Sequence, residues 1–372
     1  MKKVYLDNAS TTFLRNEVIE EMIRVMQNSN GNPSSTHSFG RDAKAVIETS
    51  RKLIANILNC TAQEIIFTSG ATESINWIIK NAIKNLKIER IITSRTEHHA
   101  VLHSIEKVSN SAEVCYLNID SNGSFDYQQL EELLKESKKT LVCLMYINNE
   151  TGVVSDIEKI GELCKKYNAL YFSDTVQAVG KTNIDLSNWD VDFIVASAHK
   201  FNGPKGVGFI RIKKSVSLGS MIHGGEQEKG LRGGTEAVHQ IAGMAKALEI
   251  SHARLDEERV NVTKLKQYAI KAFRENFPGV EFNGGENSFY TILSIRLPFS
   301  ADKAQIILFM LDIKGISVSR GSACQSGSVK PSHVLTEMLP ESELEKPSIR
   351  ISFSHSNTKE DIDSLIEALK TI

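Results

Sequence analysis

Short apolar runs and helical patterns alternate through the middle of the chain. The runs are bounded by polar residues or glycine, which is typical of buried strands. They cover residues 64–68, 90–93, 113–117, 140–147, 170–173, 193–197 and 208–212. Helical patterns such as residues 155–167 separate several of them. This alternation predicts a mainly parallel, seven-stranded sheet with helices on both faces, an α/β fold.

The last third of the chain has a different pattern. Residues 235–277 are almost free of glycine and proline, which predicts one long helix. A strand at 290–297, a helix at 301–312, a strand at 349–353 and a last helix from 359 then predict a smaller α+β unit. Because 372 residues exceed one simple core, we expect two domains. We place the large domain at residues 10–255 and the small domain at 1–9 and 256–372.

Composition and charge narrow the classes of function. The formal net charge is −1, so nothing indicates a nucleic-acid or anionic-membrane partner. No apolar run approaches the roughly 18 residues of a membrane span, and the apolar run at the N-terminus is too brief for a signal peptide. We therefore expect a cytoplasmic protein, and we expect no metal site.

The cysteines do not predict a disulfide framework, because there are five and they are widely spaced. Cys324 differs from the others, since it lies in a polar segment rich in glycine and serine. A thiol in such a loop is exposed, which suits reactivity rather than packing. An incidental loop cysteine is the alternative.

Two charged residues follow neighbouring strand-like runs. Lys200 lies just after the run at 193–197, and Asp174 follows the run at 170–173. Open α/β sheets bind ligands at the carboxyl ends of their strands. Pyridoxal phosphate enzymes need a lysine for the cofactor's aldehyde and a carboxylate for its pyridine nitrogen. The pair therefore predicts a pyridoxal phosphate site, although an isolated lysine would more simply be a surface residue.

Further side chains at the same sheet edge fit such a site. Gly70 leads from a strand into a helix that starts near Thr72, and a helix N-terminus binds phosphate readily. A plain helix cap is the alternative. His98 is a candidate to stack on the cofactor and move protons, unless it faces solvent, and Gln177 is a candidate donor to the cofactor's phenolate oxygen. Arg350 interrupts an apolar run, so it is either a carboxylate-binding residue or an edge-strand arginine.

With these residues assembled, the chain resembles the pyridoxal phosphate-dependent cysteine desulfurases of the NifS/IscS type, in the class V aminotransferase family. The resemblance runs along essentially the whole chain. Its motifs are residues 5–9 (YLDNA), 31–35 (GNPSS), 68–74 (TSGATES), 97–98 (EH), 148–152 (NNETG), 197–200 (SAHK), 232–235 (RGGT) and 321–324 (GSAC). It implies a fold-type I transferase.

The resemblance also implies a role for each candidate residue. The implied cofactor-binding residues are Ala71, Thr72, His98, Asp174, Gln177, Ser197, His199 and Lys200, with Thr235 reaching in from the second subunit of a homodimer. The implied catalytic residues are Lys200, His98 and Cys324, and the implied substrate-binding residues are Asn149 and Arg350.

The implied activity is conversion of L-cysteine to L-alanine, with the sulfur passing to Cys324 as a persulfide. The sulfur would then go to an acceptor protein, either an iron–sulfur scaffold or a tRNA-thiolation protein, and the sequence does not choose between them. Another class V aminotransferase or a cysteine lyase is the nearest alternative. A non-catalytic sulfur-relay protein on the same fold is a more distant one.

Overall fold

The computed structural model of the protein describes residues 3–321 and 331–372. The strands are β1 Val4–Tyr5, β2 Ile65–Thr68, β3 Arg90–Ser94, β4 Glu113–Leu117, β5 Thr140–Cys143, β6 Leu170–Asp174, β7 Phe193–Ser197, β8 Gly208–Ile212, β9 Glu281–Asn283, β10 Ile292–Arg296, β11 Ile316–Ser317 and β12 Ser348–Ser352. The α-helices are α1 Asn16–Asn28, α2 Ser38–Ile57, α3 Ala71–Lys84, α4 His99–Glu106, α5 Tyr127–Lys135, α6 Ile157–Lys166, α7 Val238–Ala253, α8 Leu255–Asn276, α9 Lys303–Ile313, α10 His333–Met338, α11 Glu341–Leu344 and α12 Lys359–Lys370.

A seven-stranded sheet forms the centre of the molecule. Its order is β2-β8-β7-β6-β5-β3-β4. Strand β8 runs antiparallel to both of its neighbours, and the other adjacent pairs are parallel. Every residue of β7 is buried, as expected for a strand covered by helices on both faces. The predicted α/β fold is confirmed.

The predicted long helix at 235–277 is wrong in one respect, because the chain breaks at Arg254 into α7 and α8. The two helices bury different surfaces. Helix α7 packs against α1 and α2 beside the large sheet, whereas α8 contributes Leu265 and Phe273 to a separate apolar core. One straight helix could not reach both, so the direction of the chain changes between them.

Buried apolar side chains form separate groups. Two of them cover the faces of the seven-stranded sheet. A third lies around β10, β12, α8 and α12, and it includes Val4 and Leu6 from the start of the chain. The boundaries given above for two domains stay a prediction. Among the described residues, no helix is both long and apolar enough to cross a bilayer.

Candidate active site

A cavity of about 250 Å³ lies at the carboxyl ends of the central strands. Most residues that the sequence singled out line it, although they come from distant parts of the chain. They are Ala71, Thr72, His98, Asn149, Asp174, Gln177, Ser197, His199, Lys200 and Arg350. The remaining wall is formed by Ala9, Ser10, Ile75, Met145, Ile147 and Val176.

Lys200 reaches the cavity from a short 3-10 turn, Ala198–Lys200, directly after β7. Its Nζ donates hydrogen bonds of 2.7 Å to the backbone oxygen of Ala9 and 2.7 Å to that of Ser10. The N-terminal segment therefore fixes the amine at the cavity wall.

Asp174 is the last residue of β6 and is 7% exposed. Burial raises the pKa of its carboxyl to about 6, while a hydrogen bond from the Val176 amide and the charge of Lys200 act in the opposite direction. The carboxylate is therefore an anion at neutral pH, inside a poorly hydrated site. A positively charged ring nitrogen would match it there.

His98 caps the N-terminus of α4, where its Nδ1 accepts a 3.1 Å hydrogen bond from the Ala100 amide. Burial, and then the charge of Lys200, lower the pKa of His98 to about 4. The imidazole is thus neutral, and because Nδ1 is an acceptor, its proton lies on Nε2. In the cofactor-free site His98 is therefore a flat, uncharged ring whose Nε2–H can donate a hydrogen bond, while its Nδ1 lone pair is already in use.

Gln177 is held on both sides of its amide. Its Nε2 donates to the Ala9 backbone oxygen at 3.0 Å, and its Oε1 accepts from Lys181 Nζ at 2.9 Å. Burial lowers the pKa of Lys181 to about 7, with the charges of Lys200 and Arg350 adding to the effect. The Gln177 amide group has a second N–H that remains available as a donor.

The opposite end of the cavity is suited to an anion. Helix α3 starts at Ala71, whose amide donates to Ser197 Oγ at 2.8 Å. Gly70 has φ +152° before it, a conformation that favours glycine. His199 lines the same wall, and burial lowers its pKa to about 4. Free helix amides and hydroxyls are the donors that phosphate requires.

Arg350 and Asn149 form the third part of the site. Arg350 lies on β12, an edge strand of the small sheet, and is 2% exposed. Its Nη1 donates to the Asn149 backbone oxygen at 2.8 Å. Its Nε is buried and has no hydrogen-bond partner among residues 3–321 and 331–372. A buried donor of this kind is costly to leave unpaired, so this edge is ready for an anionic ligand.

These residues fit pyridoxal phosphate. An amine, a buried carboxylate and a helix N-terminus surround one cavity, and they complement the cofactor's aldehyde, ring nitrogen and phosphate. Two predicted residues are not in the lining. Thr235 is exposed and lies outside the cavity of its own chain, and Cys324 lies outside the described residues.

Comparisons with known proteins identify the family. A model of the family described as aminotransferase class-V matches residues 4–365. The chain belongs to this family. It is 40% identical over 376 residues to the cysteine desulfurase IscS of Dictyoglomus turgidum, covering 100% of this chain and 94% of that protein.

Solved structures agree with this assignment. A NifS-like protein superposes with a TM-score of 0.91 at 35% identity, over 100% of both chains. SspA in complex with cysteine gives a TM-score of 0.84 at 31% identity, over 95% of this chain and 100% of that one. The predicted fold, the pyridoxal phosphate cofactor and the assignment to the cysteine desulfurases are confirmed.

The sequence reading gave no role to three residues that the structure places in or beside the site. Asp7 and Ser10 both contact the Arg350 guanidinium, and Lys181 contacts Gln177. Asp7 carries a signal, because an acidic residue directly follows the apolar run of β1. The sequence around Lys181 carries no such signal, because a lysine that follows a glycine and precedes polar residues is expected to face solvent.

Proposed function

We propose that the residues named above have, in this cysteine desulfurase, the roles that the family resemblance implies. One observation carries the proposal: a single cavity is lined by Lys200, Asp174, His98 and Arg350. One bound ligand could therefore contact all four groups that the chemistry requires. These are the amine, the carboxylate, the flat ring and the carboxylate-binding group.

The cofactor would be held at three points. Lys200 would bind its aldehyde, Asp174 its ring nitrogen, and the α3 N-terminus with Thr72, Ser197 and His199 its phosphate. His98 would stack on the ring, and Gln177 would donate to the phenolate oxygen. When bound, pyridoxal phosphate supplies an electron sink for bonds at the substrate's Cα and Cβ.

The substrate would be L-cysteine, positioned by its carboxylate. Arg350 offers its unpaired Nε–H, and Asn149 lies beside it in the cavity lining. The Lys200 amine is the group that would take the Cα proton, because it lines the same cavity as Arg350 and Asn149. His98, neutral with its proton on Nε2, would donate a hydrogen bond from that atom in the first step.

Cys324 would receive the sulfur. Its thiolate attacks the substrate's sulfur, an S–S bond forms, and the Cβ–S bond breaks. The electron pair of that bond stays on Cβ, which gains a proton, so the products are L-alanine and a persulfide on Cys324. The thiol must lose its proton first, since the thiolate is the nucleophile.

The test compares the wild-type protein with Cys324→Ala and with Cys115→Ala as the matched control. L-cysteine is added to each holoenzyme, alanine is quantified, and the protein is analysed by intact mass spectrometry. We expect alanine and one added sulfur with the wild type and with Cys115→Ala. Cys324→Ala should still change the cofactor's absorbance on adding cysteine, but release no alanine. Alanine release by Cys324→Ala at the wild-type rate would favour a lyase instead.

A homodimer completes the proposal. Phe13 and Phe39 are 65% and 66% exposed, and Ile19, Ile23 and Met26 form an exposed apolar face on α1. A second copy covering this face would bury them, and would supply Thr235 to the phosphate. Light scattering of the wild type and of Phe39→Glu tests this, and a monomeric wild type would contradict it. The acceptor protein and the cytoplasmic location stay predictions.

A further inference from the structure

Three of the Arg350 donors are already occupied by the protein itself. Nη2 donates to Asp7 Oδ1 at 2.8 Å and to Ser10 Oγ at 2.7 Å, and Nη1 donates to the Asn149 backbone oxygen at 2.8 Å. A guanidinium has five N–H donors. The contacts therefore leave Nε–H and one Nη1–H for a ligand, and the Nε atom is buried without a partner in the described part of the chain.

Asp7 is rigidly placed beside this arginine. Its Oδ1 also accepts from Ser10 Oγ and Ser319 Oγ, both at 2.8 Å. The residues on either side of it are bonded to β12: the Ser352 amide donates to the Leu6 oxygen at 2.7 Å, and Asn8 Nδ2 donates to the Ser352 oxygen at 2.8 Å. Because the backbone and the carboxylate are both fixed, Asp7 cannot move away when a ligand arrives.

A fixed carboxylate next to the ligand-binding arginine has two opposite effects. It holds the guanidinium in one orientation, which favours binding of an anion at the open edge. It also offsets part of the positive charge and repels a second carboxylate at the same group, which disfavours binding. Without Asp7, the buried guanidinium of Arg350 would lack a counter-ion. A ligand's carboxylate would then take the place of the Asp7 carboxylate.

We propose that Asp7 is a positioning residue of the carboxylate site, which orients the open edge of Arg350 and limits how tightly an α-carboxylate binds there. Substrate and product carry the same α-carboxylate, so limiting this contact lets L-alanine leave after the sulfur is removed. The inference rests on the proposed function, because it takes Arg350 as the residue that binds the substrate's carboxylate.

The test uses Asp7→Asn in the holoenzyme, because asparagine keeps an oxygen at the Oδ1 position and removes the charge. L-alanine is titrated while the cofactor's absorbance is followed, and the melting temperature is measured with and without it. We expect Asp7→Asn to melt lower than the wild type without ligand and to regain more stability from L-alanine. We expect its affinity for L-alanine to rise about fivefold or more, because the repulsion between two carboxylates at one guanidinium is removed.

Two controls separate this role from a merely structural one. L-alaninamide lacks the carboxylate and should bind equally to both proteins. Asp190→Asn removes a carboxylate that pairs with Lys165 at 3.0 Å outside the cavity lining, and it should leave L-alanine binding at the wild-type value. An Asp7→Asn protein that melts lower but binds L-alanine with wild-type affinity would overturn the proposal.

A failure of this proposal can be distinguished from a failure of the proposed function. A wild type that releases alanine from L-cysteine, but binds L-alanine and L-alaninamide alike, would keep the desulfurase and remove the carboxylate site from Arg350. A wild type that releases no alanine from L-cysteine would contradict the desulfurase, whatever Asp7→Asn does to the binding of L-alanine.

Discussion

Lys181 donates a 2.9 Å hydrogen bond from Nζ to Oε1 of Gln177, and this contact fixes which way the Gln177 amide faces. Because the amine occupies the oxygen, the Nε2 side must point to acceptors, and one of these is the Ala9 oxygen at 3.0 Å. Lys181 is itself anchored by Tyr290, whose hydroxyl donates to the Lys181 backbone oxygen at 2.9 Å. Lys181, which belongs to no recognised motif, thus leaves the Gln177 amide group with its N–H donors facing away from the amine.

Lys181→Met should therefore change both the cofactor and the pH dependence of stability. The pKa of Lys181 falls from 10.5 to about 7 on folding, so between these values the unfolded chain holds more protons and the stability of the wild type rises with pH. The variant should lack this rise, with a difference on the order of 3 kcal/mol between pH 7 and 10. Urea unfolding of the cofactor-free proteins at several pH values measures it.

The matched control is Lys264→Met, which removes an exposed lysine from α8 and should follow the wild-type pH dependence. In the holoenzyme, Lys181→Met should also shift the cofactor's visible absorbance, since Gln177 can then turn its oxygen toward the phenolate. Equal pH slopes for all three proteins would show that Lys181 is solvated.

Asp174→Asn should bind the cofactor weakly, and its affinity for the cofactor should not depend on pH as that of the wild type does. The pKa of Asp174 is about 6 in the cofactor-free protein, so in the wild type the anion forms, and affinity for pyridoxal phosphate rises, as pH increases through 6. Asparagine carries no charge at any of these pH values. Fluorescence titration with pyridoxal phosphate at pH 5 and 7.5 compares the cofactor affinity of the wild type with that of Asp174→Asn. Turnover should fall about a hundredfold or more, and a variant with wild-type turnover would contradict the placement of the ring nitrogen.

Lys200→Ala should keep the fold and lose the covalent link to the cofactor. After borohydride treatment and digestion, the wild type should carry the reduced cofactor on the peptide containing residue 200. Lys205→Ala, which removes an exposed lysine nearby, should behave as the wild type does. If Lys200→Ala still carries the cofactor covalently at the wild-type level, another lysine binds the aldehyde.

Glu97 provides a test of the buried environment behind His98. It is 0% exposed, its Oε1 accepts from the Met145 amide at 2.7 Å, and burial raises the pKa of its carboxyl well above the ordinary value. Because burial favours the neutral form of this carboxyl, Glu97→Gln should cost less than about 1 kcal/mol of unfolding free energy at pH 4. Glu97→Ala, which loses the hydrogen bond and leaves a cavity, should cost about 2–4 kcal/mol.

The pH dependence of the unfolding free energy provides a second test of the Glu97 carboxyl. The folded protein keeps the Glu97 proton at pH values where the unfolded chain has lost it, so the wild type should lose stability relative to Glu97→Gln as pH rises above about 4.5. Thermal unfolding from pH 4 to 7 measures the difference. A constant difference would mean that the pKa of Glu97 is the same in the folded and the unfolded protein.

Several strands of the central sheet, and the reactive residues at their ends, can be predicted from the local sequence pattern. The predicted runs at 113–117, 193–197 and 208–212 coincide with β4, β7 and β8. Every residue of β7 and β8 is buried, and a strand covered on both faces is a nearly continuous apolar run in the sequence. Lys200 and Asp174 follow such runs directly. A polar residue that ends a strand of a parallel sheet lies at the ligand edge whatever the rest of the fold does.

The protonation states and the orientations of these groups could not be predicted in this way, because they depend on contacts between distant segments of the chain. Asp7 and Arg350 are 343 residues apart in the chain, and no local pattern records that they meet. The break at Arg254 and the burial of Lys181 likewise depend on which surfaces pack together. A pKa depends on the water excluded and the charges gathered around a group, and both follow from contacts between distant segments, so periodicity along the chain does not encode them.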